Sequence, residues 1–352
     1  MTERNVTSDR GRIQITGFDP EAVRERESLS GWTEDAGTAT MSRWQRAWKR
    51  FKRNRSALLG LAVVGVLSLL AIFARPIEVF GMVVQPISLA PYAPTDILYF
   101  QYPEQDYGTY DSPTWSHPMG TDGSGRDLFS RVLVGGRYSI SIGFIVVGAT
   151  ASFGLLYGAI SGYYGGWVDE IMMRTVDVIL AFPGLILALI IVAMFGGGYW
   201  QLVLAFSLFG WAGYGRLVRG EVLKVKENEY VLAAKALGAQ DRNVILRHIA
   251  PNAMPPLLVV ASLNIGTVVI GVAALGFLGL GMDGSTAEWG TMLDQTRGTL
   301  IQSGDGSIPW WATVYPGGAI FLFVMAMNMI GDGVNDALDA QETGAGQGGG
   351  GG

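Results

Sequence analysis

The sequence predicts an all-α membrane protein that crosses the bilayer with six helices. Of its 352 residues, 49% are apolar and 16% are charged, and the mean hydropathy is +0.30. Soluble domains contain about 25% charged residues, so this composition favours a polytopic membrane protein. The distribution of charge is more specific, because five long stretches contain no Asp, Glu, Lys or Arg. They are residues 56–74, 138–168, 178–215, 249–282 and 306–331.

Each of these stretches is long enough for a membrane helix, since about 20 apolar residues span a hydrocarbon core of about 30 Å. Residues 178–215 are about twice that length and are interrupted by Gly196, Gly197 and Gly198. This pattern predicts two helices joined by a tight turn, which brings the expected total to six. A transmembrane barrel would need alternating strands of about ten residues, which the sequence lacks.

The basic residues predict the orientation, because Lys and Arg are retained on the cytoplasmic side in short loops. Seven basic residues lie between residues 43 and 55, and six lie between residues 219 and 254. By contrast, residues 76–136 contain two basic and seven acidic residues. We therefore expect a multi-pass protein of the plasma membrane with both termini in the cytoplasm. The sequence pI near 5.2, the lack of cysteine and the acidic outer loop point to a salt-adapted prokaryote.

The chain divides into four regions by composition. Residues 1–42 are polar and charge-mixed, which predicts a disordered cytoplasmic tail. Residues 43–56 form a basic helix with Trp44, Trp48 and Phe51 on one side; either an interfacial helix or an ordinary positively charged flank fits this pattern. Residues 57–338 form the transmembrane domain, and the Gly-rich residues 339–352 form a flexible tail.

Several kinds of chemistry are excluded or made improbable. The chain has no cysteine, so it forms no disulfide and no thiolate metal site. Its two histidines, His117 and His248, are predicted on opposite faces of the membrane and cannot share a metal. The phosphate-binding pattern Gly-x-x-x-x-Gly-Lys-Ser/Thr is missing. We therefore predict no catalytic residue, no metal ligand and no ATP site in this chain.

The stretch that follows residue 227 predicts a short helix between two apolar spans. Asn228 is a suitable N-cap, Glu229 lies at the positive end of the helix dipole, and Gly238 is a natural C′ residue. Ala234 and Gly238 are four residues apart and so share one face, where the lack of bulk allows another backbone to approach.

A second short helix is predicted at residues 241–249, ended by Pro251. The two helices would form a hairpin that projects into the cytoplasm and receives another protein. A solvated helix without a partner could have the same composition, because Ala, Lys and Leu are strong helix formers.

Blocks along the chain resemble one known family and occur in the order found there. They are Leu89–Tyr92, His117–Asp122, Gly125–Asp127, Tyr163–Asp169, Ala181–Pro183, Glu229–Pro251, Phe277–Gly281, Trp289–Gly290, Gly331–Gly333 and Asp336–Asp339. From Arg50 to Asp339 the chain resembles the second permease subunit of the dipeptide/oligopeptide/nickel class of ATP-binding-cassette importers. Residues 76–88 look like an insertion relative to that family.

The resemblance implies that the hairpin contains a coupling helix, which docks in a groove of an ATPase subunit. The coupling positions that it implies are Glu229, Ala233, Ala234, Gly238 and the closing proline Pro251. Leu232 departs from the family, which usually has an acidic residue before the Ala-Ala pair. One polar contact to the ATPase is therefore in doubt.

The resemblance also implies a complete machine of two permease subunits, two ATPase subunits and an external substrate-binding protein. ATP and Mg²⁺ would be bound by the ATPase subunits, and no cofactor by this chain. The chain would contact membrane lipid and no nucleic acid. Asn264 and Asn328 are the polar residues deepest in the spans, where they could face the translocation path or make a structural hydrogen bond between helices.

Two other classes of function remain open. A secondary transporter or channel would usually show carboxylates in the membrane, interrupted helices or an inverted repeat, and none is evident in the sequence. A membrane scaffold would not need the hairpin. The cargo stays open among dipeptides, longer peptides, nickel chelates and related solutes, because selectivity in the resembled family lies largely with the external binding protein.

Overall fold

The charge-free stretches form long helices in the computed structural model, which describes residues 42–79, 82–104, 107–302 and 309–339. The helices are α1 (Arg43–Phe51), α2 (Arg55–Phe73), α3 (Leu98–Gln101), α4 (Leu128–Tyr164), α5 (Gly166–Leu180), α6 (Gly184–Phe195), α7 (Tyr199–Val225), α8 (Glu229–Ala236), α9 (Asp241–Val244), α10 (Ala250–Leu275), α11 (Trp289–Gln302) and α12 (Trp310–Asp339). Two π-helical turns, Ile245–Ile249 and Gly276–Leu280, flank α10. Strands β1 (Ile77–Val79) and β2 (Met82–Gln85) pair antiparallel within the proposed insertion.

The chain divides into two compact units between Lys49 and Arg50. Helix α1 forms where the basic helix is predicted, and its Trp44 and Trp48 side chains are about half exposed. The predicted tails, residues 1–42 and 339–352, lie outside the described residues except for Ser42 and Asp339.

Four helical segments in the described part of the chain are long and apolar enough to cross a membrane. They are α2, α4, the continuous stretch from Asp241 to Leu280, and α12. The pair α5 and α6 makes a fifth span if it is counted as one bent element. Helix α7 corresponds to the helix predicted after Gly196–Gly198. It has 27 residues but carries charged residues from Arg216 onward. Helices thus form at all six expected positions, but the described residues contain four segments, or five with the bent pair, that are long and apolar enough to span a membrane, and the sixth span stays a prediction.

A bend of 79° separates α5 from α6 and was not expected from the sequence. Pro183 lies at the bend, where it has no N–H for the helical ladder and disfavours helical geometry at Phe182. Counted as one span, the pair is bent, and its first helix already begins at Gly166. An interrupted helix is thus present, although none was evident in the sequence. This criterion therefore no longer argues against a secondary transporter or channel. The turn predicted at Gly196–Gly198 is confirmed, since α6 ends and α7 begins on either side of it.

Helices α4 and α7 pack closely along a ridge of glycines. Gly154, Gly158 and Gly162 recur every four residues of α4 and are buried. A Cβ at Gly158 would lie 2.3 Å from the carbonyl oxygen of Gly215 on α7, and one at Gly154 would lie 2.5 Å from Cβ of Tyr214. The absence of side chains therefore sets the separation of the two helices, as expected for a close-packing face.

A network of buried charges lies at the N-terminal end of α4. Asp122 accepts a hydrogen bond from Nε of Arg126 at 2.8 Å, and Nε of Arg131 lies 3.2 Å from the same oxygen. Both guanidinium groups also donate to Oε1 of Gln295 on α11, at 2.9 and 3.4 Å. Arg131 is fully buried and donates to the carbonyl oxygen of Pro94 at 2.7 Å. We call these five residues the polar cap.

His117 is buried beside the polar cap. Its Nδ1 donates a hydrogen bond of 2.8 Å to Asp127, the residue that caps the N-terminus of α4. The imidazole packs against the rings of Tyr92 and Tyr107. Burial, followed by a hydrogen bond to Tyr107, raises the pKa of Tyr92 to about 12, so this phenol stays neutral at physiological pH.

The glycine ridge predicts that Gly158→Ala destabilises the subunit, because the new Cβ would lie 2.3 Å from a backbone oxygen of α7. Overpacking of this kind typically lowers the free energy of unfolding by about 1–3 kcal/mol. Gly148→Ala is the matched control in the same helix, since a Cβ there meets no atom within 4 Å. Thermal unfolding of the purified subunits, followed by size-exclusion chromatography after heating, should separate the two variants. Equal unfolding temperatures would contradict the assigned packing.

Candidate functional site

The candidate site is a helical hairpin, residues 229–251, that follows α7 and lies at the C-terminal end of α4. Asn228 occupies the N-cap position of α8 with extended backbone angles, φ −68° and ψ 142°. Its carbonyl oxygen accepts hydrogen bonds from Val231 at 2.9 Å and Leu232 at 3.1 Å. Its side chain makes no capping hydrogen bond. The predicted cap position is therefore correct, but the backbone supplies the contacts.

Gly238 ends α8 as predicted. Its φ is +81°, a conformation in which glycine has no Cβ penalty. The N–H of Ala239 donates to the carbonyl oxygen of Ala234 at 3.0 Å, and the N–H of Gly238 donates to that of Lys235 at 2.9 Å. These two bonds form a Schellman motif. A Cβ on Gly238 would meet no atom within 4 Å, so the conformation alone requires glycine here.

Five residues form the outward face of α8, since they are spaced by three or four positions along one side and are exposed. They are Glu229, Leu232, Ala233, Ala236 and Leu237. The two leucine side chains are 52% and 89% exposed. Ala234 is only partly buried and lies nearer the body of the protein. The predicted small-residue surface is therefore divided, with Ala233 and Gly238 exposed and Ala234 turned partly inward.

Val231 and Val244 attach the hairpin to the body of the protein. Each is completely buried, in a cluster that also contains Tyr163 of α4 and Val222 of α7. Because one valine comes from α8 and the other from α9, both arms of the hairpin are held. The inward side is thus apolar and packed, which leaves the leucines of the outward face for another surface.

Pro251 does not end a helix, and this prediction is wrong. The segment from Asp241 to Leu280 is continuously helical, with a π-helical turn at Ile245–Ile249. In that turn the N–H of Ala250 bonds to the carbonyl oxygen of Ile245, five residues back. The wider turn accommodates a proline that has no N–H and that would crowd a regular α-helix. Pro251 therefore lies in the first turn of α10.

The two asparagines of the expected translocation path are not brought together. Asn264 on α10 donates a hydrogen bond of 3.0 Å to the hydroxyl of Tyr214. It also lines a groove of about 630 Å³ between the α5–α6 bend, α7 and α10, in which Thr267 is the other polar side chain. Asn328 is exposed on α12 and does not line this groove. The structure thus confirms a hydrogen bond between helices at Asn264, and the place of this residue on the translocation path stays a prediction.

Two exposed leucines on the outward face of the hairpin were missed in the sequence analysis. Leu237 was not singled out, although its spacing of four from Ala233 places it on the outward face. Leu232 was noted only as the loss of a carboxylate, whereas its exposure makes it part of an apolar surface. No cluster of three His, Cys, Asp or Glu side chains suited to a metal ion occurs in residues 42–79, 82–104, 107–302 and 309–339.

Comparisons with known proteins match most of the chain. Residues 154–342, which contain the hairpin, match the family described as the binding-protein-dependent transport system inner membrane component. Residues 42–113 match the N-terminal transmembrane domain of oligopeptide transport permease C.

Two curated relatives illustrate the similarity. The dipeptide transport system permease protein DppC of Alkalihalophilus pseudofirmus is 39% identical over 306 residues, which cover 87% of this chain and 92% of that protein. The glutathione transport system permease protein GsiD of Shigella dysenteriae is 40% identical over 296 residues, covering 84% and 90%. A solved amino acid ABC transporter overlaps at a TM-score of 0.37 and 17% identity over 55% of this chain and 90% of that chain, too low a similarity to support an argument.

The Schellman motif predicts that Gly238→Ala loosens the end of α8 without unfolding the protein. A non-glycine residue in the left-handed conformation costs about 1–2 kcal/mol, which corresponds to roughly five- to thirty-fold faster local opening. Hydrogen–deuterium exchange should therefore accelerate in peptides that contain residues 238 and 239. Gly220→Ala on α7 is the control, because a Cβ there meets no atom within 4 Å and its φ is not positive. Unchanged exchange in Gly238→Ala would rule out the motif as the element that ends the helix.

Proposed function

This chain belongs to the dipeptide/oligopeptide class of permease subunits of ATP-binding-cassette importers, and we propose that its hairpin couples a separate ATPase subunit to solute import. The observation that carries the proposal is the outward face of α8. It presents Leu232 and Leu237 to solvent on a short helix that is otherwise held by buried valines. Exposed apolar surface on a short helix whose other side is packed supports a contact with another protein.

The proposed contact requires small side chains on the surface of the permease that faces the ATPase. Between the two leucines lie Ala233 and Ala236, whose small side chains allow the backbone of α8 to approach a partner surface closely. Glu229 at the start of the helix is the one charge on this face. Docking is therefore proposed to depend on shape and apolar burial, and Leu232 replaces a polar contact with an apolar one.

We propose the remaining components from the same reasoning. A second permease subunit, two ATPase subunits and an external binding protein complete the transporter, and the ATPase subunits hold ATP and Mg²⁺. The lack of a phosphate-binding loop in this chain supports that division of labour. Closure of the ATPase dimer on ATP would move the hairpin and switch the spans from inward-open to outward-open.

The hairpin and the polar cap are proposed on opposite sides of the plasma membrane. They lie at opposite ends of α4, whose 37 residues extend about 55 Å. The excess of basic residues around the hairpin supports a cytoplasmic location, and the acidic composition of residues 76–136 supports an external one. Both termini would then be cytoplasmic.

The proposed cargo is a small peptide or a related solute. The relatives are a dipeptide permease and a glutathione permease, which supports this class, and nickel chelates stay within it. The groove beside Asn264 supports a place for that residue on the path, because it combines an apolar lining with few polar groups. A lining of this kind offers weak contacts, which suit a solute that must pass without being held. Asn328 is retained as a second candidate for the path.

The docking proposal predicts that Leu237→Glu prevents binding of the ATPase subunits. The substitution places a charge where an apolar contact would exclude water, and Leu232→Glu should act in the same way. Ser112→Glu is the control, because it adds the same charge at an exposed position near the other end of α4. Co-purification of each variant with its cognate ATPase subunits should show loss only for the two leucine variants.

The same co-purification experiment distinguishes between the alternative functions. ATPase subunits that stay bound to Leu237→Glu at the parental level would refute docking on this face. A parental chain that retains no ATPase but exchanges solute in vesicles would indicate a secondary transporter or channel. Vanadate-sensitive ATP hydrolysis by the isolated subunit would contradict the division of labour.

The orientation proposal predicts opposite labelling of two single cysteines. The chain has no cysteine of its own, so Ser112→Cys and Gln240→Cys can be introduced without further changes. Both side chains are exposed, one beside the polar cap and the other in the hairpin. An impermeant thiol reagent should label Ser112→Cys in intact cells, and Gln240→Cys only after the membrane is opened. The reverse pattern would place the hairpin outside.

A further inference from the structure

Tyr163, in the last turn of α4, contacts both helices of the hairpin. Its hydroxyl donates a hydrogen bond to Oδ1 of Asp241, the first residue of α9. The ammonium nitrogen of Lys235 on α8 lies 4.3 Å from the centroid of its ring, a cation–π distance. The tyrosine is only 7% exposed, so its own position is fixed by packing. One buried side chain therefore joins α4 to both arms of the hairpin.

The two preceding residues of α4 fix the elements around the hairpin. The carbonyl oxygen of Gly162 accepts a hydrogen bond of 3.0 Å from Nζ of Lys226, where α7 ends. The hydroxyl of Ser161 donates to Asp169 at 2.5 Å, and Arg219 of α7 donates two hydrogen bonds to the same carboxylate at 3.0 and 2.6 Å. The last turn of α4 thus holds α5, α7 and the hairpin in one arrangement.

We propose that Tyr163 is a positioning residue that makes the hairpin and α4 move as one rigid unit. This inference rests on the proposed function, because an ATPase must move the hairpin. The other attachment, through Val231 and Val244, is apolar and therefore non-directional, so it allows sliding. The bond to Asp241 and the contact with Lys235 fix direction as well as distance. Movement of the hairpin then passes into α4 and along its length toward the polar cap.

Spin-label distances can test whether the two elements move together. One label pair joins the hairpin to α4, at Gln240→Cys and Ile145→Cys. Residue 145 is exposed and lies about 27 Å along α4 from Tyr163. A second pair joins Gln240→Cys to Leu61→Cys, an exposed position on α2, and reports whether the hairpin moves at all. The assembled transporter in nanodiscs is compared without nucleotide and after trapping with MgATP and vanadate.

In the parental complex, trapping should change the Gln240–Leu61 distance and leave the Gln240–Ile145 distance constant. Tyr163→Phe keeps the ring but removes the hydroxyl, so the Gln240–Ile145 distance should now shift on trapping. Tyr163→Leu removes both contacts and should give a larger shift. Tyr164→Phe, at the neighbouring exposed tyrosine, is the matched control and should behave like the parent.

Variants of Asp241 test the partner of the hydroxyl. Asp241→Asn retains an acceptor oxygen and should keep the Gln240–Ile145 distance constant, whereas Asp241→Leu should reproduce the shift of Tyr163→Phe. If a variant shows the shift in the Gln240–Ile145 distance and its unfolding temperature equals that of Tyr164→Phe, a general loss of structure is excluded as the cause. A shift in Asp241→Asn equal to that in Asp241→Leu would remove the hydrogen bond from the proposal.

Retention of the ATPase subunits by the parental chain is measured first, and its absence would refute docking rather than the role of Tyr163. With ATPase bound, a constant Gln240–Ile145 distance in Tyr163→Leu would overturn the role of the tyrosine alone. A distance that already shifts in the parental complex would show that the hairpin and α4 are not rigid, which also overturns it. A parental Gln240–Leu61 distance that does not respond would refute movement of the hairpin by the ATPase.

Discussion

The close contact between α4 and α7 is the constraint on which the candidate site depends. It exists because Gly158 offers no side chain where the carbonyl oxygen of Gly215 approaches. With the backbones this close, the short side chains of Ser161 and Asp169 reach partners on neighbouring helices. The hairpin continues from the end of α7, so the same contact places it against the last turn of α4. If α4 and α7 were farther apart, Tyr163 would not reach the hairpin residues that it contacts.

The opposite end of α4 is fixed by buried charge. In the polar cap, Arg126 and Arg131 share the single carboxylate of Asp122, and carbonyl and amide oxygens accept their remaining hydrogen bonds. Glu288 is fully buried beside the same helix, where the hydroxyl of Ser139 and backbone N–H groups of α11 donate to it. Desolvation offsets much of the attraction in buried ion pairs, so such networks specify position more than they add stability. Helix α4 is therefore held by directional contacts at both ends.

The sequence predicts features that depend on local chemistry and misses those that depend on helix geometry. Gly238 and the turn at Gly196–Gly198 were predicted correctly, because positive φ and glycine are tied at the level of a single residue. Pro183 was given no structural role in the sequence analysis, and Pro251 was wrongly expected to end a helix. The first lies at a bend inside a charge-free stretch, and the second is accommodated by a π-helical turn that leaves no mark in the residue pattern. Charge-free length therefore locates spans but does not show whether they are straight.

In the candidate site, residue identity predicts the location of the hairpin but not the direction of its side chains. The small residues Ala233 and Ala234 look equivalent in sequence, yet only the first lies on the outward face of α8. Burial of Val231 sets that rotation, and it depends on a cluster whose members come from distant parts of the chain. In the proposed function, affinity for the ATPase subunit and the transfer of its movement therefore fall to different side chains. Under that proposal the exposed leucines supply apolar burial without direction, whereas Tyr163 of α4 supplies direction with little added area.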